Sequence, residues 1–266
     1  VTVFSGVKEG YNESAIVSLL QQKMENYEIT PQGKTFIGNG LKYEFTGKIK
    51  EQAKEMAFLS SALLIAVFLI LLILVTQFNS FSIPFIILFS VVLSLSGVFL
   101  GIVIARNDFV IIMTMIGIIS LAGIVVNNAI VLVDYTNLLR KRKRKELNLI
   151  ETEQLSLEEV KTAIILGGKR RLRPVLLTAI TTILGLLPLA TGLNINFTTL
   201  FTRFDAQLFF GGDNVIFFGP MSLAIIYGLT FATFLTLVVV PVMYFLIYKF
   251  KLWFYRFFKL TLRSNI

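Results

Sequence analysis

Gly117-Ile-Ile-Ser-Leu-Ala-Gly-Ile-Val-Val-Asn-Asn-Ala-Ile-Val-Leu-Val-Asp-Tyr135 is the stretch on which the reading of this chain turns. It lies in an apolar run from Phe109 to Val133. About 20 apolar residues at a rise of 1.5 Å per residue span roughly 30 Å, so a helix of this run crosses a bilayer. Two adjacent amides, Asn127 and Asn128, stand inside it. A polar side chain at that depth is costly unless a neighbouring helix satisfies it, so such residues face the interior of a bundle. Two roles fit. One is glue between helices, with Gly117, Ser120, Ala122 and Gly123 permitting close approach. The other is membership of a polar relay or substrate path.

Composition extends this reading to the whole chain. Of 266 residues, 55% are hydrophobic and 15% charged, and the mean hydropathy is +0.78. So little polar surface marks an integral membrane protein. The absence of Cys and His excludes a disulfide framework, the usual zinc and copper ligands, and His-based acid–base chemistry. Met113 and Met115 do not make a copper site, because residues two apart on a helix do not face each other. No nucleophile–base pair, phosphate loop or metal cluster supports an enzyme. The chain opens Val1-Thr-Val-Phe4 without an initiator Met or a signal peptide, and is expected to be a piece of something longer.

Residues 1–55 form the one substantial polar section. Val1–Phe4 alternates like a strand, and Asn12–Tyr27 has helical spacing with Ile16, Leu19, Leu20 and Met24 on one stripe. Asn12 suits an N-cap. Leu41–Phe45 alternates again after turn signals at Pro31-Gln-Gly33 and Gly38-Asn-Gly40. Strand–helix–strand is half of a small α/β subdomain, with too little core to stand alone.

Residues 56–266 carry the membrane part. Apolar runs predict helices over about 56–76, 83–105, 109–135, 175–191 and 215–248. Pro84 suits the first turn of the second. Gly97 and Gly101 make a GxxxG pattern, weak evidence for a close helix crossing. The connection 136–174 is hydrophilic, with a helical acidic stretch near Ser156–Ile165 and a capping box at Ser156-Leu-Glu-Glu159. Thr178, Thr181, Thr182 and Pro188 lie in the fourth run, where the hydroxyls suit satisfaction of backbone carbonyls near Pro188.

Five spans place the two ends on opposite sides. Eleven Lys/Arg lie between Arg140 and Arg173 and five between Lys249 and Arg263, against one each at Arg106 and Arg203 in the short loops. By the positive-inside rule the long connection and the C-terminus are cytoplasmic, and the N-terminal section is outside. Both basic clusters then abut the anionic inner leaflet, which accounts for the net charge of +9 without nucleic acid.

In order along the chain, Tyr43-Glu-Phe-Thr-Gly47, Phe81-Ser-Ile-Pro-Phe85, Gly123–Asp134, Arg171–Thr178 with Gly185–Ala190, and Gly228–Tyr244 resemble the C-terminal quarter of resistance-nodulation-division (RND) efflux transporters, in the hydrophobe/amphiphile multidrug branch. The resemblance covers essentially the whole chain. It implies the last five of twelve transmembrane helices, preceded by part of an α/β periplasmic porter subdomain in residues 1–55. It further implies a bacterial inner-membrane, proton-driven pump for small amphiphilic or toxic compounds. Such a pump is a homotrimer docked to a periplasmic adaptor and an outer-membrane channel. Its energy comes from the proton gradient, with no cofactor.

In that family a carboxylate pair of the fourth helix is protonated, supported by groups of the tenth and eleventh. By motif those groups here are Asn127 with its neighbour Asn128, Arg171 and Thr178. Well-known members carry Lys where this chain has Asn127, so charge balance differs. The carboxylate pair and most of the porter domain are not in this sequence, and Asp134 reads as a solvated interfacial acid. The chain alone is therefore expected not to pump. A separate N-terminal chain, as a split-gene partner, would complete it; a non-transporting remnant and an RND-superfamily export or lipid-handling relative are the other readings. For Arg171 the plain reading is an inside-positive flank that snorkels to headgroups.

Overall fold

Helix dominates because the apolar runs leave the backbone no partner but itself in lipid. The computed structural model describes residues 6, 8, 13–29, 32, 34, 44–149, 155–205 and 207–263, which fall into two units, 1–60 and 61–266. The first unit holds α1 (Glu13–Ile29) and the beginning of α2 (Lys48–Phe78). On α1, Ile16 and Met24 are half-buried while Leu19 and Leu20 are exposed. Val1–Phe4, Asn12 and Leu41–Tyr43 lie outside the described residues, so the strands expected there and the expected cap do too. Glu44 and Phe45 are not in a strand. Gly47, at a φ of 98°, turns the chain into α2, and Lys50 Nζ donates to the Glu44 carboxylate beside it. That hydrogen bond and the ammonium's charge hold the Glu44 carboxyl below the usual range.

In the second unit the rest of α2 is followed by α3 (Ser82–Ala105), α4 (Ile111–Glu146), α5 (Leu157–Thr191) and α7 (Asp213–Arg263). Between α5 and α7, Leu193–Asn194 (β1) pairs antiparallel with Phe209–Phe210 (β2), Leu193 opposite Phe210. The short α6 (Phe197–Arg203) lies between them, N-capped by Asn196. Among the described residues five helices are long and apolar enough to cross a membrane.

The helices overrun the apolar spans, and the connection 136–174 is a correction. It is mostly helix: α4 runs on to Glu146 and α5 begins at Leu157. The residues there, Leu, Arg, Lys and Glu, are strong helix formers. Lys143 and Glu146 pair at 3.0 Å one turn apart. The capping box forms as its spacing predicts, Ser156 Oγ accepting from the Glu159 amide and the Glu159 carboxylate from the Ser156 amide. Pro174 does not end α5.

α7 packs against α3, α4 and α5. The GxxxG pattern lies on the first of these contacts, with Phe231 seated at Gly97 and Tyr227 at Gly101; a Cβ at either glycine would overlap the aromatic side chain. Gly228 of α7 takes Leu121 and Val98 in the same way. Val98, Leu121, Ala129, Ala224 and Leu229 are buried there. Buried hydroxyls bond their own helices, Ser90 to the Ile87 carbonyl, Ser94 to that of Val91 and Thr233 to that of Leu229, each at 2.6 Å. Leu64, Phe68 and Leu72 of α2 and Leu177, Ile180 and Leu184 of α5 are exposed, the arrangement an apolar solvent permits.

Candidate functional site

α4 and α5 run antiparallel, and the expected relay residues mark rungs along their seam. Asn128 is buried, 6% exposed, and its Oδ1 lies 3.4 Å from Thr178 Oγ1. Thr178 also donates to the Val175 carbonyl at 2.9 Å. A hydroxyl has one proton, so the shorter bond within α5 holds it and the contact to Asn128 is the weaker of the two. Thr181 and Thr182 likewise donate to carbonyls of their own helix, those of Leu177 and Thr178 among them.

Seven residues along each helix, about two turns, comes the next rung. The Arg171 guanidinium lies over the Tyr135 ring, 4.5 Å from its centroid. Its Nε is buried and makes no hydrogen bond among the described residues. Arg170 Nη1 donates to the Tyr135 hydroxyl at 3.0 Å. Beside this rung the helices close up, since a Cβ on Gly167 would fall 2.8 Å from Thr136 Oγ1. Asn128, Thr178 and Arg171 therefore line one seam.

Asn127 does not join them. It is exposed, about 100° around α4 from Asn128. Asp134 is exposed at the end of the apolar run. Phe109–Val133 holds no ionisable side chain, so what this run brings to the seam is hydrogen bonding through Asn128.

A second polar cluster ties α4 to α7 and escaped sequence reasoning. Arg140 Nη1 donates to the Tyr244 hydroxyl, which donates to Asn137 Oδ1. The guanidinium carbon is 5.6 Å from the Tyr244 centroid and 4.7 Å from that of Tyr248. Tyr248 donates to the Leu155 carbonyl at 2.8 Å. The available signal was the spacing of Asn137–Arg140 and Tyr244–Tyr248, each placing two polar ends on one helix face.

A bundle of long apolar helices with an internal polar seam defines a multi-pass membrane protein. Residues 1–194 match the model of the AcrB/AcrD/AcrF family, and the chain belongs to that family of RND transporters. It is 32% identical over 240 residues to the swarming motility protein SwrC of Bacillus subtilis, covering 90% of this chain and 19% of SwrC. It is 27% identical over 245 residues to the multidrug resistance protein MdtC of Proteus mirabilis, covering 91% of this chain and 20% of MdtC. The solved structure of a heavy metal efflux pump superposes with a TM-score of 0.60 over 91% of this chain and 20% of the pump, at 23% identity. The chain thus spans about a fifth of the length of these relatives.

Proposed function

We propose that this chain is the C-terminal membrane segment of a proton-driven RND efflux permease for small amphiphilic or toxic compounds, and that it does no enzymatic chemistry. Asn127, Asn128, Thr178 and Arg171 serve its proton relay by hydrogen bonding and charge. The observation that carries this is the split between the two amides. Asn128 is buried against Thr178, while Asn127 is exposed at bilayer depth. A polar group there demands a polar partner from another helix. A titrating carboxylate on a helix outside these residues meets that demand, whether it comes from the same polypeptide or from a separate N-terminal chain. Exposed apolar faces on α2 and α5 leave room for such helices. On this reading the complete pump sits in the inner membrane with α4 and α7 ending in the cytoplasm and residues 1–55 in the periplasm as part of a porter subdomain. It works as a trimer with an adaptor and an outer-membrane channel.

The test is a chimera in which this chain replaces the matching fifth of MdtC. Cells lacking their own efflux are loaded with an amphiphilic dye. Extrusion that stops when a protonophore collapses the gradient supports the reading; extrusion unaffected by the protonophore, or absent with the chimera folded in the membrane, refutes it.

A further inference from the structure

We infer that residues 192–214, which join α5 to α7, form an aromatic anchor seated in the surface of the lipid bilayer, at the end of the bundle away from the basic clusters. Both ends of this connection are ends of membrane spans, α5 closing at Thr191 and α7 opening at Asp213. The helices themselves therefore hold it near the height of the headgroups. Along it Phe201, Phe204, Leu208, Phe209 and Phe210 are each more than half exposed. Its charged residues are three, Arg203, Asp205 and Asp213. Apolar side chains gathered this densely on a surface mark a place of contact with a partner or a membrane.

The connection is a built platform. Leu193–Asn194 pairs with Phe209–Phe210, and Asn194 Nδ2 clamps the pair by donating to the carbonyls of Gly192 at 3.0 Å and Gly211 at 2.6 Å. Successive residues of a strand point to opposite faces, so the exposed rings of Phe209 and Phe210 stand on both sides of β2. Phe204 ends α6 in the left-handed region, at a φ of 54°, its amide donating to the Thr199 carbonyl. Glycine or asparagine usually takes such a position, and a bulky side chain there is an outlier. Its ring is also 94% exposed. A strained residue that projects an aromatic ring outward points to what the ring meets outside the chain.

The bilayer is the occupant because the same apolar surface continues along α7. Ile216 and Phe234 are both exposed and stand about five turns apart on one face of that helix. A face that runs along a membrane span meets acyl chains, and the aromatic connection lies at its end. Interfacial elements rich in Phe and Leu sink about 5–10 Å into the boundary between headgroups and acyl chains. Arg203 and the two aspartates then lie among the headgroups. This seating follows from the spans alone and does not depend on a proton relay.

The chain's one Trp, Trp253, is replaced by Phe, and a single reporter is introduced as Phe204→Trp or, in a second protein, as Phe210→Trp. Both positions are exposed, and the second carries the test if the first variant fails to fold. Leu20→Trp, exposed on α1 and outside the five spans, is the reference for water. Each protein is reconstituted at one chain per phosphatidylcholine nanodisc. Its fluorescence is quenched by aqueous iodide and by lipids carrying a nitroxide high or low on the acyl chain. At both positions in the connection, iodide is expected to quench several-fold less than at Leu20→Trp. The high nitroxide is expected to quench more than the low one, with emission shifted to shorter wavelength. Iodide quenching equal to that of Leu20→Trp overturns the inference. So does protection from iodide without quenching by either lipid, which assigns a contact with protein, and so does stronger quenching by the low nitroxide, which places the rings in the bilayer core.

Discussion

Tyr135 of α4 holds two arginines of α5 at once, its ring 4.5 Å from the Arg171 guanidinium carbon and its hydroxyl 3.0 Å from Arg170 Nη1. The seam between these helices is thus closed by a stacked cation, two turns from the amide–hydroxyl rung of Asn128 and Thr178.

Tyr135→Phe keeps the ring and loses only the bond from Arg170, at an expected cost of about 0.5–1.5 kcal/mol. Tyr135→Leu also removes the stacking, worth a further ~0.5–2 kcal/mol. Denaturant unfolding of the detergent-solubilised chain, followed by circular dichroism, ranks the two. Equal costs would show that the stacking contributes nothing.

Gly97→Ala and Gly101→Ala push a methyl group into Phe231 and Tyr227, with an expected loss of about 1–3 kcal/mol each from forced separation of α3 and α7. Gly123→Ala has no neighbour within 4 Å and removes a helix-interior glycine, so it is expected to stabilise by up to about 1 kcal/mol. The same unfolding measurement reads all three.

Asn127→Leu and Asn128→Leu should part company. Asn128 is packed at the seam, so its replacement is expected to cost about 1 kcal/mol of bundle stability. Asn127→Leu is expected to leave unfolding unchanged and to remove most dye extrusion by the MdtC chimera. A variant at Asn127 that unfolds early but still transports would reverse the assignment.

The fold was legible wherever chemistry alone decides it. Runs such as Met56–Thr76 and Ile83–Ala105 have no alternative to helix in lipid, and Ser156 and Glu159 carry their cap in their spacing. The GxxxG pattern named a close crossing but not its partner; Phe231 and Tyr227 are over a hundred residues away, and no local signal points to them. The ends of the helices were missed because Arg140–Lys145 reads as loop by polarity, though its residues are helix formers. At the site, adjacent Asn127 and Asn128 are alike in sequence, and only packing tells which is enclosed. Tyr135 ends the predicted helix 109–135, and Tyr244 lies within the predicted helix 215–248. Their partners lie on other helices, across contacts that one strand of sequence does not record.

α4 is one uninterrupted helix of 36 residues, roughly 54 Å long. Asn127 and Asn128 sit near its middle, and Arg140 lies twelve residues farther on, about 18 Å along the axis. Such a rod has no joint between the two places. A twist of the shaft that reorients the amides swings Arg140 by the same angle. Any such turn is therefore borne by the Arg140–Tyr244 bond to α7 as well as by the packing around Asn128, at a distance and without any contact between the two places.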